Sequence, residues 1–266
     1  RLTLITGMPL KSLFSPVTPL TAPTKLTPMS ELTPLLAFGA HPDDLEFGVG
    51  GIIAQATAAG RPVHCVICSR GEASTHGTPA ERTAEAAQAA KLLGATHEFI
   101  ELAGDAHLEI TTPHAITLAA LIRRHRPGIV LAPSLVENQH PDHARLGRLV
   151  RDATRLARYG GLAELHALPA HACAALLYYA LSTDAEPKDI TPILIDVSAP
   201  AVLTAWTAAM AAHVSQHQTR DYSRLQLARA TVNGARGGCA AAIALYPNDP
   251  LVFASLGPIT RAARHF

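Results

Sequence analysis

Two short stretches of this chain hold side chains that could do chemistry together: His41-Pro42-Asp43-Asp44 and His140-Pro141-Asp142-His143. Each pairs a histidine with a metal-capable residue three positions on, Asp44 in one and His143 in the other. Imidazole nitrogen and carboxylate oxygen bind zinc at about 2.0 to 2.2 Å, and catalytic zinc sites use three protein ligands with a position left open. The i, i+3 spacing lets His41 and Asp44 face one ion from a single tight turn, and His143 would complete the set from the second loop. Asp43 and His140 are then left over beside the ion. A carboxylate there can take a proton from water that the ion has acidified, while an imidazole can stabilise an oxyanion and protonate a leaving nitrogen. Asp142 can hold an imidazole in one tautomer. Taken one at a time these residues have ordinary explanations, since Asp44 and Asp142 could cap helices and His41 could be a satisfied core histidine. Together they suit metal-assisted amide hydrolysis.

Such loops need a frame that brings them together. Pro34 to Ala40, Pro62 to Cys68, His97 to Leu102 and Gly128 to Ala132 read as short apolar strands, and Glu46 to Ala59, Pro79 to Leu93, Thr112 to His125 and Pro141 to Tyr159 read as helices. Alternation at this spacing predicts βαβ units, hence an α/β, Rossmann-like, mostly parallel sheet with helices on both faces. Ligands of open α/β sheets bind beyond the carboxyl ends of the strands, which is where both His-Pro-Asp stretches fall. Further on, Ala174 to Ala180 and Ile193 to Val197 read as strands and Ala199 to His217 as one long helix. The last forty residues show turn signals at NG, GG and PND. The expected organisation is an extended or mobile arm over 1–30, then one domain over 31–266 with its core at about 34–160 and a smaller C-terminal α+β portion at about 161–266, which forms one wall of a cleft. Met29 reads as a natural start, with an upstream extension before it.

Composition narrows the partners. The chain has 266 residues, with 22 Lys+Arg against 21 Asp+Glu and a formal net charge of +1, so no long-range field favours nucleic acid or an anionic membrane. No apolar run in the first thirty residues is long enough for a signal-peptide core or a membrane span. The four cysteines, Cys65, Cys68, Cys173 and Cys239, are too few and scattered for a disulfide framework, which agrees with a cytoplasmic setting. Cys65 and Cys68 form a C-x-x-C inside an apolar strand whose alternation points them to opposite faces. They therefore read as buried structural thiols.

The paired motifs, His41-Pro-Asp-Asp followed by Gly48-Val-Gly-Gly and His140-Pro-Asp-His, resemble the LmbE or PIG-L family of zinc-dependent N-acetylglucosaminyl deacetylases. Within it, the chain is most similar to the branch that deacetylates N-acetylglucosaminyl-malate in bacillithiol synthesis, through Ser69 to Ala95, Leu194 to Ser198 and Ala212 to Gln216. The resemblance implies Zn2+, or another divalent ion such as Fe2+, on His41, Asp44 and His143, with Asp43 as base and His140 as acid or oxyanion stabiliser. It implies a substrate role for Arg82, a small glucosaminide as substrate and assembly into a homo-oligomer. Two departures stand out: a lysine common before the SQ motif is missing from Ala201 to Met210, and an alanine-rich segment replaces the usual acidic ending.

Other residues carry weaker expectations. Arg82 could instead pair with Glu81 or Glu85. Glu72 either closes its loop by accepting backbone hydrogen bonds or touches substrate, and His213 and Gln216 either pack in the core or line the cleft. The basic run Arg123, Arg124, His125, Arg126 is explained by the helix dipole. Two readings from other classes compete. Gly48, Gly50 and Gly51 could be taken for a dinucleotide loop, although Ile53 stands where the third glycine of that fingerprint belongs. Two histidines and a carboxylate also describe a non-haem Fe(II) site.

Overall fold

The computed structural model describes residues 32–137, 140–218 and 220–263. The 1–30 arm, like Asn138 and Gln139, lies outside the described residues. Strands β1 (Leu35–Gly39), β2 (Val63–Ile67), β3 (Thr96–Phe99), β4 (Ile129–Pro133) and β5 (Ala175–Tyr179) alternate with helices α1 (Asp44–Ala58), α2 (Pro79–Leu92), α3 (Thr112–His125) and α4 (Pro141–Leu156). Then follow β6 (Ile193–Asp196), α5 (Pro200–Ala211), α6 (Tyr222–Gly237) and β7 (Ala242–Pro247). The seven strands form one sheet in the order β3-β2-β1-β4-β5-β7-β6, with β1 to β5 parallel and β7 antiparallel to both its neighbours. It is the mostly parallel, helix-covered sheet that the alternation predicts.

Strand alternation builds two cores. Leu36 and Phe38 of β1 face the layer of α3 and α4, where Leu118, Ile122, Leu146 and Leu149 are fully buried. Leu35 and Ala37 face α1, α2 and α5, where Ile53, Ala89, Trp206 and Met210 pack. Cys65 joins the second layer and Cys68 the first, both as buried free thiols. Successive residues point to opposite faces, so the C-x-x-C holds no metal between its sulfurs.

From β1 the chain steps outward to β2 and β3, and from β4 it steps the other way to β5. The topological switch point therefore lies between β1 and β4, where a crevice opens beyond the strand ends. Proline at the first helical position starts α2, α4 and α5, where its missing N–H costs nothing and its φ suits the helix. Thr78 adds a full capping box with Glu81 at the start of α2.

Three expectations need correction. The long helix read over Ala199 to His217 ends at Ala211, and a separate 3-10 turn covers Val214–His217. The break falls at His213, which is fully buried with its Nε2 3.2 Å from Glu46 Oε2; its docking in the core ends the regular spiral. The Asn233-Gly234 pair is no turn, because it lies inside α6, where a Cβ on Gly234 would come within 2.7 Å of the Ala240 and Ala241 backbone. Gly238, left-handed at φ 67°, ends that helix instead. The basic run at the end of α3 is more than a match to the helix dipole: Arg123 is buried and donates to the carbonyls of Ala157, Tyr159, Leu165 and Leu168. Among the described residues no helix is long and apolar enough to cross a membrane.

Candidate functional site

Both His-Pro-Asp stretches sit at the switch point, one between β1 and α1 and the other leading into α4. Asp44 Oδ2 accepts the backbone N–H groups of Ala40 and His41 at 2.8 and 3.0 Å, which folds the turn tightly and fixes the carboxylate. Its Oδ1 lies 3.1 Å from His143 Nε2, and His41 Nδ1 lies 3.6 Å from Oδ2. Donor atoms of His41, Asp44 and His143 are all within 4.8 Å of one another. Two imidazoles and one carboxylate are a donor set suited to zinc or a similar divalent ion.

The surroundings fit a cation as well. His41 Nε2 is 3.0 Å from Asp105 Oδ1 and 3.6 Å from Asp142 Oδ2, so outer carboxylates hold one ring nitrogen and leave Nδ1 toward Asp44, the arrangement common to metal-binding histidines. Burial disfavours a charged His41, yet Asp44, Asp105 and Asp142 outweigh it and raise the pKa well above the usual imidazole value. Burial would likewise raise Asp44, but His143 and His41 hold it well below the usual carboxylate range. Three buried carboxylates gathered around one imidazole are a pocket of negative potential that calls for positive charge.

Asp43 has an unusual backbone. Its φ is 115°, a conformation that costs a non-glycine residue of order 1–3 kcal/mol and tends to occur at functional sites. Arg82 Nη2 donates to Pro42 O at 2.7 Å and to Asp43 Oδ2 at 3.3 Å, so the alternative of an ion pair with Glu81 or Glu85 gives way to a clamp on the strained turn. Glu81 closes the capping box, and Glu85 accepts from Ser215 N and Oγ. Burial pushes the Asp43 carboxyl up to about 6, against the downward pull of Arg82. Gly71 makes room for that arginine, because a Cβ there would overlap the Arg82 guanidinium.

His140 caps α4, its Nδ1 accepting the Asp142 backbone N–H at 3.3 Å. That bond leaves the neutral ring's proton on Nε2, which lies 3.3 Å from Asp105 Oδ1. Asp142 does not cap; its Oδ2 accepts from Ala106 N at 2.8 Å and its Oδ1 lies 3.3 Å from Arg145. Burial works against its charge, yet His41, His140 and the Ala106 N–H keep its pKa low.

Asp105 is the residue that sequence reasoning missed. It lies in the loop after β3, between Ala103, Gly104 and Ala106, all at positive φ, and touches both His41 and His140. Burial opposes its charge, but the two imidazoles hold it far below the usual range. The available signal was its place after a strand at the carboxyl edge of the sheet, a position shared by too many loop residues to single it out.

His41, Asp43, Asp44, Arg82, His140 and His143 line one cavity of about 320 Å³, together with Asp105, Gln216 and an apolar side formed by Phe47, Leu181 and Tyr222. Gln216 reaches the cavity while donating to His76 O and Ser215 Oγ. Glu72 does not line it. Glu72 accepts from the Arg70 and Asp105 backbone N–H groups at 2.9 and 3.0 Å, so it braces the loop that carries Asp105. The glycines of α1 form no phosphate loop. They lie within the helix, where a Cβ on Gly48 would overlap the Tyr179 ring and one on Gly50 would sit 2.6 Å from Trp206, so they serve close packing.

A doubly wound sheet with a three-donor metal cluster at its switch point defines the class: an α/β protein equipped to activate water beside a cation. Residues 36–154 match the family model described as PIG-L: GlcNAc-PI de-N-acetylase. It is 32% identical over 139 residues to a diacetylchitobiose deacetylase of Thermococcus kodakarensis, covering 49% of this chain and 52% of the relative. It is also 31% identical over 138 residues to a 4-oxalmesaconate hydratase of Pseudomonas putida, covering 47% and 53%. The chain thus spans about half the length of the curated relatives it matches. Among solved structures, the conserved protein TT1542 from Thermus thermophilus superposes with a TM-score of 0.72 at 29% identity, over 87% of this chain and 100% of that one.

Proposed function

We propose that this protein is a metal-dependent N-deacetylase that removes the acetyl group from an N-acetylglucosaminyl-type small glycoside, releasing acetate and a free amine. The observation that carries this reading is the convergence of His41, Asp44 and His143 on one point, with Asp43 and His140 lining the same cavity. In it, His41, Asp44 and His143 hold the ion, which when bound supplies Lewis acidity toward water and the acyl oxygen. Asp43, held by Arg82, accepts the proton of the attacking water. His140, its proton kept on Nε2, donates to the oxyanion and then to the departing nitrogen. Asp105 and Asp142 keep His41 and His140 oriented. The apolar side of Phe47 and Tyr222 offers a surface for the face of a sugar ring.

The likeness to a hydratase favours a second reading, hydration of 4-oxalmesaconate, because general-base activation of water serves both reactions. The cavity supports amide hydrolysis better. Its apolar side of Phe47, Leu181 and Tyr222 suits the face of a sugar ring more than a small polycarboxylate. For the glycoside, the finer proposal is the malate aglycone. A cation near the cavity supports it: the Arg220 guanidinium lies 5.9 Å from the ring of Tyr222, which lines the apolar side. The deciding experiment incubates zinc-loaded protein with N-acetylglucosaminyl-malate, -inositol, diacetylchitobiose and 4-oxalmesaconate. Acetate release from a glucosaminide is expected; consumption of 4-oxalmesaconate alone would replace the proposal with the hydratase reading.

A further inference from the structure

We propose that His64, Glu98 and His125 form a second divalent-cation site at the outer edge of the sheet, sharing no residue with the cavity. His64 lies on β2, Glu98 on the edge strand β3 and His125 at the end of α3, and their three donor atoms lie within 4.8 Å of one another. Glu98 Oε1 is 2.9 Å from His64 Nε2 and 3.0 Å from His125 Nε2, and the imidazoles stack with centroids 4.0 Å apart and planes 19° from parallel.

The protons on these atoms decide what the cluster can hold. Thr96 Oγ1 lies 3.1 Å from Val63 O and 2.8 Å from His64 Nδ1. With the hydroxyl hydrogen on Val63 O, the threonine accepts from Nδ1 and the His64 Nε2 lone pair faces the carboxylate, which is the protonation that a cation held between Nε2 and Glu98 Oε1 requires. The oxygen that meets this lone pair also faces His125, while Glu98 Oε2 is steadied by Arg124 at 3.3 Å. Two imidazoles, one carboxylate and a position open to water suit zinc. Tetrahedral zinc with bonds of about 2.1 Å sets its donors about 3.4 Å apart, so binding needs the carboxylate to withdraw by about half an ångström and the two stacked rings to swing apart until each meets the ion in its own plane. Side-chain exposures of 17%, 27% and 24% give an ion a way in. Bound there, it ties the edge strand β3, which has a single neighbour in the sheet, to the end of α3.

The test separates this site from the cavity. Full-length protein is stripped with a chelator and titrated with Zn2+, and with Co2+ for its absorption spectrum, as wild type, Glu98→Gln, His125→Gln, His143→Ala and the double variant His143→Ala/Glu98→Gln. Circular dichroism checks each fold. Each edge substitution is expected to remove one bound ion per chain. His143→Ala should keep one ion with a tetrahedral Co2+ spectrum, and the double variant should lose it, whatever the cavity binds or hydrolyses. Equal stoichiometry in His143→Ala and the double variant would overturn the site and mark the cluster as an ordinary hydrogen-bonded one.

Discussion

Asp43 combines a strained backbone, a buried carboxyl and one guanidinium partner, and each has a measurable consequence. Asp43→Asn keeps the shape and loses the base, so turnover should fall by about 10²–10⁴-fold while bound zinc, read by elemental analysis, stays unchanged. His143→Ala should instead lose both the ion of the cavity and the activity. The pH profile follows from the same carboxyl. The base works when ionised and its pKa is raised to about 6, so activity is present above that value and lost as the pH falls through it; an ion on Asp44 draws the limb lower. Arg82 pulls that pKa down, and Arg82→Ala should therefore move the acid limb of kcat/KM to higher pH. An unmoved limb would show that Arg82 acts on substrate alone.

At the scale of elements, the cavity depends on how closely α1 approaches β5 and α5. Gly48 and Gly50 permit this, for a Cβ at Gly48 would run into the Tyr179 ring. Gly48→Ala should cost about 1–3 kcal/mol of stability through overpacking. In a chain of this size that is about 2–4 °C of melting temperature per kcal/mol, measurable by calorimetry. The first turn of α6 brings Tyr222 into the cavity, with Arg220 just before it. Arg220→Ala should raise KM for the malate glycoside several-fold and leave kcat, and KM for diacetylchitobiose, unchanged. Equal effects on both substrates would remove Arg220 from the aglycone side.

For the molecule as a whole, the ion should act as a ligand of the folded state. A site built from β1 and β4 loops does not exist in the unfolded chain, so zinc at a hundred times its dissociation constant adds about 2.7 kcal/mol. Melting in zinc against melting after chelation should differ accordingly in wild type, and less in His143→Ala. The same sheet explains how two motifs about a hundred residues apart meet. β1 and β4 are neighbours because the chain reverses its direction of travel across the sheet between them.

Much of this was legible in the residues alone. His41, Asp44 and His143 mark a candidate metal cluster through side-chain type and spacing, and the period of the strands and helices places them at one sheet edge, because local hydrogen bonding and apolar alternation are written residue by residue. The end of α5 at His213, the helix α6 across an Asn-Gly pair, the contact of Asp105 with two histidines and the bracing role of Glu72 were not. Each depends on a partner distant in the chain: Glu46 for His213, the Ala240–Ala241 backbone for Gly234, His41 and His140 for Asp105, the Asp105 N–H for Glu72. Donor chemistry and strand period are properties of short stretches, whereas the neighbour that satisfies a buried polar group is chosen only when the whole chain has packed.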